Sequence, residues 1–336
     1  VRAYVVTKYK RPLELTDTAE PEVGDRDVLV SIEAAGLNQL DEKIRLGEFA
    51  QILPYRLPVI LGNDVAGTVI RVGRLVSRFT PGDRVFARPD DARIGTFAER
   101  IAIAEGDLAL APSSISIAEA ASLPLVALTA WQALVERGNV RPGQRVLIHA
   151  GAGGVGSIAI QLAAHLGATV ATTASAANAD FVRGLGADIV IDYRREDFSE
   201  MLTGYDLVLD SLGGENLEKS LRILRPGGKA IGIAGPPDPA FARRRGMNPL
   251  LRLAVGALSR KIRRQAKKLG VGYEFLFMRA DGDQLGEIAA LVDRGVMRPV
   301  VARTYPFEQL PGALADLADG ASRGKLVVTV ATGSRG

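Results

Sequence analysis

The stretch LIHAGAGGVGSIAIQLA, residues 147–163, constrains the fold more than any other. It joins an apolar, strand-like run to an apolar, helix-like one through Gly151, Gly153, Gly154 and Gly156. A buried strand that feeds a helix through so tight a turn is half of a βαβ unit, and it needs parallel neighbours. Ala150, Gly153 and Gly156 fit the spacing A-x-x-G-x-x-G, with Gly154 and Val155 in the same turn. Small residues there let backbone N–H groups and the positive end of the helix approach a pyrophosphate. The alternative is a turn that packs closely on its helix and holds no ligand.

The chain around this turn changes character twice. Up to about residue 110, RAYVV, DVLVSIEAAGL, DVAGTVIRVG, DRVFA and TFAERIAIA are short alternating runs separated by Gly, Pro and Asp, which predicts a β-rich, barrel-like domain. From Ser116, IAEAASLPLVALTAWQALVERG predicts a helix ending at Gly138. Strands and helices then alternate: RVLIHA, a helix from Val155 to Leu166, TVATTA, a helix over NADFVRGLG, DIVID, YDLVLD, a helix from Asn216 to Leu224, and GGKAIGIAG. That rhythm predicts an α/β class with a doubly wound parallel sheet. The 336 residues suit two domains, a β-rich one over 1–125 with 279–336 and a nucleotide-binding one over 126–278.

Composition excludes several chemistries. There is no cysteine, so disulfides, thiolate nucleophiles and cysteine-ligated zinc are all ruled out, and only two histidines remain, His149 and His165. No apolar run reaches membrane-spanning length and Val1 opens a strand-like segment, so the expectation is a cytoplasmic chain with no membrane span. A net charge of +4 does not imply nucleic acid for the chain as a whole. Locally the balance differs: ten basic residues between Arg243 and Lys268 lie in a stretch without acidic ones. Leu250, Leu251, Leu253, Val255, Leu258 and Ile262 are interleaved with them, predicting one or two amphipathic helices. A solvated helix, a surface for membrane or RNA, and a guide for an anionic substrate remain open as readings.

The residues at the end of the second strand bear on which nucleotide is bound. NAD-binding folds place an Asp or Glu at that strand end, on the ribose 2′-hydroxyl. Here Thr172, Thr173, Ala174 and Ser175 supply hydroxyls and no carboxylate, which favours the 2′-phosphate of NADPH. Ser175 has a second possible role as the cap of the following helix.

Taken with AAGLNQLDEKIRLGEF (34–49), LGNDVAGTVIRVG (61–73), FTPGDRVF (79–86), AASLPLVALTAWQAL (120–134), HAGAGGVG (149–156), LGADIVIDY (185–193) and LRPGGKAIGIAG (224–235), nearly the whole chain resembles the medium-chain dehydrogenase/reductase superfamily. The likeness is greatest to its zinc-independent quinone oxidoreductase and alkenal/enone reductase branch. The resemblance implies a GroES-like catalytic domain, a Rossmann domain that binds NADPH, and a homodimer with no metal and no nucleic acid. Zinc members have Gly-His-Glu where this chain reads Gly62, Asn63, Asp64.

The resemblance also implies roles for individual residues. Tyr193 would contact the 2′-phosphate, with Arg194 and Arg195 near it, and Thr129 would lie near the nicotinamide. The family's C-terminal G-R-A-x-G-K reads Gly320, Ala321, Ser322, Arg323, Gly324, Lys325, so the arginine is missing from its usual place. Arg323 and Lys325 are candidate substitutes, or else solvated turn residues. Phe275 and Phe277, in VGYEFLFM, would lie at the sheet edge where family dimers pair, as interface or pocket residues.

Three residues are candidates for substrate chemistry. Asn38 matches the family asparagine that bonds substrate or cofactor, and a turn-stabilising bond is its alternative. Lys43 replaces a frequent tyrosine, and its ammonium could stabilise charge growing on a carbonyl oxygen. Tyr55 could donate a proton or simply pack against the domain edge. Asp41 and Arg45 are expected to pair and shape the loop.

The expected reaction is hydride transfer from NADPH to the activated C=C of an enal or enone. A quinone acceptor is the nearest rival. The rival of another class is an NADPH-binding interaction protein that contacts RNA or membrane through residues 243–268.

Overall fold

The computed structural model describes residues 1–50, 53–320 and 323–330. The chain divides into two compact units, Val1–Leu128 with Arg279–Gly336, and Thr129–Met278.

The second unit is built on six parallel strands. Their order across the sheet is Ile189–Asp192, Thr169–Ala174, Arg145–Ile148, Tyr205–Asp210, Leu224–Gly232 and Gly272–Phe275. The first strand in sequence is central, and successive strands run outward from it on either side. This is the doubly wound order whose reversal point receives ligands. Val146, Leu147 and Ile148 are fully buried, as a strand covered on both faces requires. Leu147, Ala171, Ile191 and Val208 from four neighbouring strands share one apolar cluster with Leu221, Ile262 and Ala266 from the helices.

The first unit carries a sheet in the order Val301–Pro306, Lys325–Thr329, Asp27–Gly36, Val65–Val72, Arg84–Ala87, Leu108–Leu110. Arg100–Ala104 also pairs with Asp27–Gly36. A smaller sheet joins Glu14–Asp17, Arg2–Val6 and Val59–Ile60. The late strand Lys325–Thr329 runs antiparallel to Asp27–Gly36, with Val327 opposite Gly36. The C-terminal segment therefore completes the N-terminal unit. Among the described residues, no helix is long and apolar enough to cross a membrane.

Several expected elements differ. The single helix expected after Ser116 is three: Ile117–Ala121, Pro124–Trp131 and a wider turn over Gln132–Arg137. Pro124 cannot continue a helix from upstream, and Gly138 donates five residues back to Ala133 at 2.8 Å, the spacing of a π-turn. The helix expected over NADFVRGLG covers only Ala179–Gly184, behind a short 3₁₀ turn. A helix not expected, Pro239–Arg244, precedes the two that the leucine-bearing basic stretch forms as expected, Pro249–Leu258 and Arg260–Leu269. Asp238 and Asn248 cap the first two, accepting from Phe241 N at 2.7 Å and Leu251 N at 2.9 Å. Gly246 and Gly270, both at positive φ, end the first and third.

Candidate functional site

In the second unit the glycine-rich turn is stitched to the neighbouring strand. Ala150 N donates to Thr173 Oγ1 at 3.1 Å and Gly151 N to the Thr173 carbonyl at 3.0 Å. Ala150 takes φ +53°, a left-handed conformation unusual for a residue with a Cβ. A Cβ on Gly151 would meet Thr172 Oγ1 at 2.2 Å, and one on Gly156 would meet the Ala150 carbonyl at 2.3 Å. Gly153 is the N-cap of the helix Gly154–His165. Residues 152–155 are half-buried between buried Gly151 and Gly156, so the turn presents its tip and the first N–H groups of the helix. Those N–H groups have no partner within the helix. The cradle that a Cβ would fill, with donors aimed out of it, fits a dinucleotide pyrophosphate.

His149, which the sequence reading passed over, anchors this turn. It is buried beside the ring of Phe198, at 4.7 Å and 72°. Burial lowers its pKa to about 4, so it is neutral near pH 7. Ser220 Oγ donates to the Asn216 carbonyl at 2.7 Å, so toward His149 Nε2, 2.9 Å away, it accepts. The proton is then on Nε2, and Nδ1 accepts from Thr173 Oγ1 at 3.1 Å. Every polar atom of this chain of contacts is satisfied, and it holds the strand end, the turn and the helix Gly214–Ile223 together. Its signal in the sequence was a polar ring in an otherwise apolar strand.

The hydroxyls at the end of the second strand behave differently from expectation. Thr172 donates to the Ile148 carbonyl at 2.6 Å, and Thr173 is used by His149 and Ala150. Both side chains are internal ties, because pinning the turn to its neighbouring strand needs a donor and an acceptor there. Ser175 makes no side-chain cap bond. Ala174 and Asp192 are register partners in adjacent strands, so Ser175 and Tyr193 leave the same sheet edge side by side. Tyr193 is exposed, with the Arg194 guanidinium 5.8 Å from its ring centre, and Arg195 is exposed beside it. The Asp192 carboxylate near them accepts from Arg194 N at 3.2 Å and lies 3.9 Å from Arg195. Thr129 is buried in the helix Pro124–Trp131.

In the first unit Asn38 sits in a buried polar network. Its Nδ2 donates to Asp64 Oδ2 at 2.9 Å, and its Oδ1 accepts from Lys325 Nζ. Lys325 also donates to Asp64 Oδ2 at 2.9 Å, and Asp64 Oδ1 accepts from Leu125 N at 2.7 Å. Asp41 accepts from Asn38 N and from Asn63 Nδ2, each at 2.7 Å. Desolvation pushes the Asp41 carboxyl up to about 7, against those two donors and Lys325. Asn63 Oδ1 is buried without a partner. Among the described residues, no three His, Cys, Asp or Glu side chains gather in a way that could hold a metal ion.

This network corrects two expectations. Lys325 is not a phosphate-binding substitute for the missing arginine: it is 5% exposed and held by Asp64 and Asn38. Arg323 is exposed, while Ala321 and Ser322 lie outside the described residues. Nor do Asp41 and Arg45 pair. Asp41 points inward from the first turn of the helix Gln39–Arg45, and Arg45 turns to Glu42 at 2.5 Å and to the Arg11 carbonyl at 2.7 Å. Lys43 is half-buried and, among the described residues, enters no ion pair. The Tyr55 hydroxyl donates to the Asp91 carbonyl at 2.7 Å. Gly272–Phe275 is the edge strand of its sheet, but Phe275 is buried edge-to-face against Phe241, 5.1 Å away, so it is an internal residue. Phe277 is half-buried.

Comparison with known proteins agrees with this architecture. Residues 24–113 match the family model described as alcohol dehydrogenase GroES-like domain, and residues 185–328 the one described as zinc-binding dehydrogenase. The zebrafish NAD(P)H oxidoreductase RTN4IP1, mitochondrial, is 34% identical over 98% of this chain and 91% of its own length. This chain belongs to the medium-chain dehydrogenase/reductase superfamily, in its zinc-independent branch. The Arabidopsis thaliana NADPH-dependent alkenal/one oxidoreductase, chloroplastic, is 34% identical over 92% of this chain and 73% of its own length. A solved quinone oxidoreductase from Coxiella burnetii is 32% identical, covers 98% of this chain and 99% of its own, and superposes with a TM-score of 0.85. The protein is thus an NAD(P)H-dependent oxidoreductase, as superfamily member and by its glycine-rich turn.

Proposed function

We propose that the protein reduces the activated carbon–carbon double bond of α,β-unsaturated aldehydes or ketones, using NADPH in preference to NADH. The observation that carries the cofactor choice is the sheet edge where Ser175 and Tyr193 emerge together beside Arg194 and Arg195. A hydroxyl, a phenol and two guanidiniums there suit a 2′-phosphate, and the two carboxylates close by are engaged, Asp192 with Arg194 N and Arg195 and Glu196 with Asp192 N at 2.9 Å. Gly154, Val155 and Gly156 would hold the pyrophosphate through backbone N–H groups, Gly153, whose own N–H goes to the Ala150 carbonyl at 2.9 Å, would shape the turn with Ala150, and Thr129 would serve the nicotinamide end. Bound NADPH supplies a hydride from nicotinamide C4.

The overall reaction balances as NADPH, one proton and the enone giving NADP⁺ and the saturated carbonyl. Hydride goes to the β-carbon and the proton to the α-carbon. Lys43 would be the cation that stabilises charge on the carbonyl oxygen; among the described residues it enters no ion pair, which leaves its ammonium uncommitted. Asn38, with its amide engaged by Asp64 and Lys325, holds the start of the Lys43 helix in place. Tyr55 is a weaker candidate for the proton, because its own goes to Asp91. Likeness to the Coxiella enzyme supports a quinone as the second acceptor class. A homodimer paired along the Gly272–Phe275 edge completes the reading, although Phe275 N is already taken by Asp238 at 3.0 Å.

The test follows NADPH oxidation with a panel of enals, enones and quinones, repeated with NADH. Saturated carbonyl products with a strong NADPH preference support the proposal. Turnover of quinones alone moves the assignment to the second class.

A further inference from the structure

The helix Pro249–Leu258 turns the usual logic of a surface helix inside out. Only Val255 of its ten residues is buried. With successive side chains about 100° apart, Leu253, Ala257, Leu250, Ala254, Leu258 and Leu251 follow one another around an arc of roughly 160°. That arc is apolar throughout and exposed throughout, with Leu250 80%, Leu253 73% and Leu258 66% exposed. The next helix, Arg260–Leu269, is amphipathic in the ordinary sense. Ile262 and Ala266 enter the core, while Arg260, Arg264, Lys267 and Lys268 lie on the opposite side and, among the described residues, enter no ion pair. No acidic residue occurs from 239 to 273; Glu218 reaches Lys261 and Glu274 reaches Arg244 from outside the segment, and the remaining charge beside the leucine face is positive.

We propose that these two helices dock the protein on the anionic surface of a lipid bilayer, the leucines entering the interface and the basic face meeting the headgroups. Charge complementarity selects this occupant. A second copy joined about a two-fold axis would set the same all-positive patch against itself. Single-stranded RNA would be met by aromatic stacking platforms, and residues 242–272 contain no aromatic side chain. An apolar arc beside unpaired cations is what an interfacial helix needs: buried area plus attraction to anionic lipid. The inference is independent of the reductase reading.

The experiment is co-sedimentation of the full chain with vesicles of phosphatidylcholine alone, or with about 30 mol per cent phosphatidylserine. Leu250→Asp/Leu253→Asp and Arg264→Gln/Lys267→Gln/Lys268→Gln variants run in parallel. All these residues are exposed, and unchanged NADPH binding certifies the fold of each variant. The expected result is binding to the anionic vesicles that weakens with salt and falls at least about tenfold in either variant, with little binding to phosphatidylcholine alone. Failure to sediment with anionic vesicles at low salt overturns the proposal. So does vesicle binding untouched by the leucine changes, RNA binding in its place, or a solution dimer that the leucine changes split.

Discussion

Lys325 donates to the Asp64 carboxylate at 2.9 Å, both side chains buried, across 261 residues of sequence. The pair fastens the last described strand to the loop after Ile60 and, through Asn38, to the start of the Lys43 helix. Removing one partner leaves a buried charge alone, which costs about 3–5 kcal/mol. Lys325→Met should therefore lower the denaturation midpoint sharply. The double variant Asp64→Leu/Lys325→Met should lose less than the sum of its two single variants, which urea titration of all three measures.

The turn makes a sharper demand at Gly156. An added methyl would meet the Ala150 carbonyl at 2.3 Å, and backbone cannot yield as a flexible side chain can. Gly156→Ala should weaken NADPH binding by about tenfold or more, a cost of roughly 1.4 kcal/mol, with circular dichroism unchanged. Fluorescence titration of NADPH reads the effect directly.

Selectivity between the two nucleotides should depend on the sheet edge at residues 193–195. Arg194→Ala/Arg195→Ala is expected to raise KM for NADPH by about tenfold, leave KM for NADH within about twofold, and flatten the salt dependence of the former. Steady-state kinetics with both nucleotides at several salt concentrations separates these effects.

Lys43→Ala tests the assigned substrate residue. The expectation is a fall in kcat of about tenfold or more with NADPH affinity unchanged, because the ammonium acts on charge that develops during reduction. Equal kcat in the variant would remove Lys43 from the mechanism.

Two buried groups give stability opposite slopes with pH. His149 is held to about 4 in the fold against 6.5 unfolded, so between those values only the unfolded chain takes the proton. Its contribution is present above pH 6.5 and is lost as pH falls toward 4, about 3 kcal/mol in all. Asp41 runs the other way, raised to about 7 from 3.8, so the folded chain holds the extra proton. Its contribution is present below about 3.8 and is lost as pH rises through about 7, roughly 4 kcal/mol. His149→Gln should flatten the acid side of the stability profile, and Asp41→Asn the stretch approaching neutrality. Urea denaturation from pH 4 to 8 checks both.

The alternating strands and the Ala150, Gly153, Gly156 spacing made the nucleotide-binding fold legible, because glycine positions and apolar periods are local signals. The Asp64, Lys325 and Asn38 contacts were not legible in the same way. They join three distant segments, and a lysine near a chain end reads as solvated until the sheet places it. The Thr172 and Thr173 hydroxyls misled for a related reason, since a hydroxyl at a strand end looks the same whether it faces a ligand or ties down a turn. Asp41 and Arg45 stood at pairing distance on one helix, but burial of the first and the nearness of Glu42 to the second decided otherwise. In the basic segment the sequence showed the charges and leucines together; only the fold shows that the leucines face outward.

The central claim is hydride transfer from bound NADPH to the β-carbon of an enal or enone. The most direct measurement incubates the enzyme with NADPH deuterated at nicotinamide C4, using each stereoisomer in turn, and locates the label in the product by mass spectrometry and NMR. The account predicts one deuterium on the β-carbon of a saturated carbonyl from one of the two stereoisomers, with one NADPH consumed per product. Tight NADPH binding with no label reaching any enal or enone would contradict it.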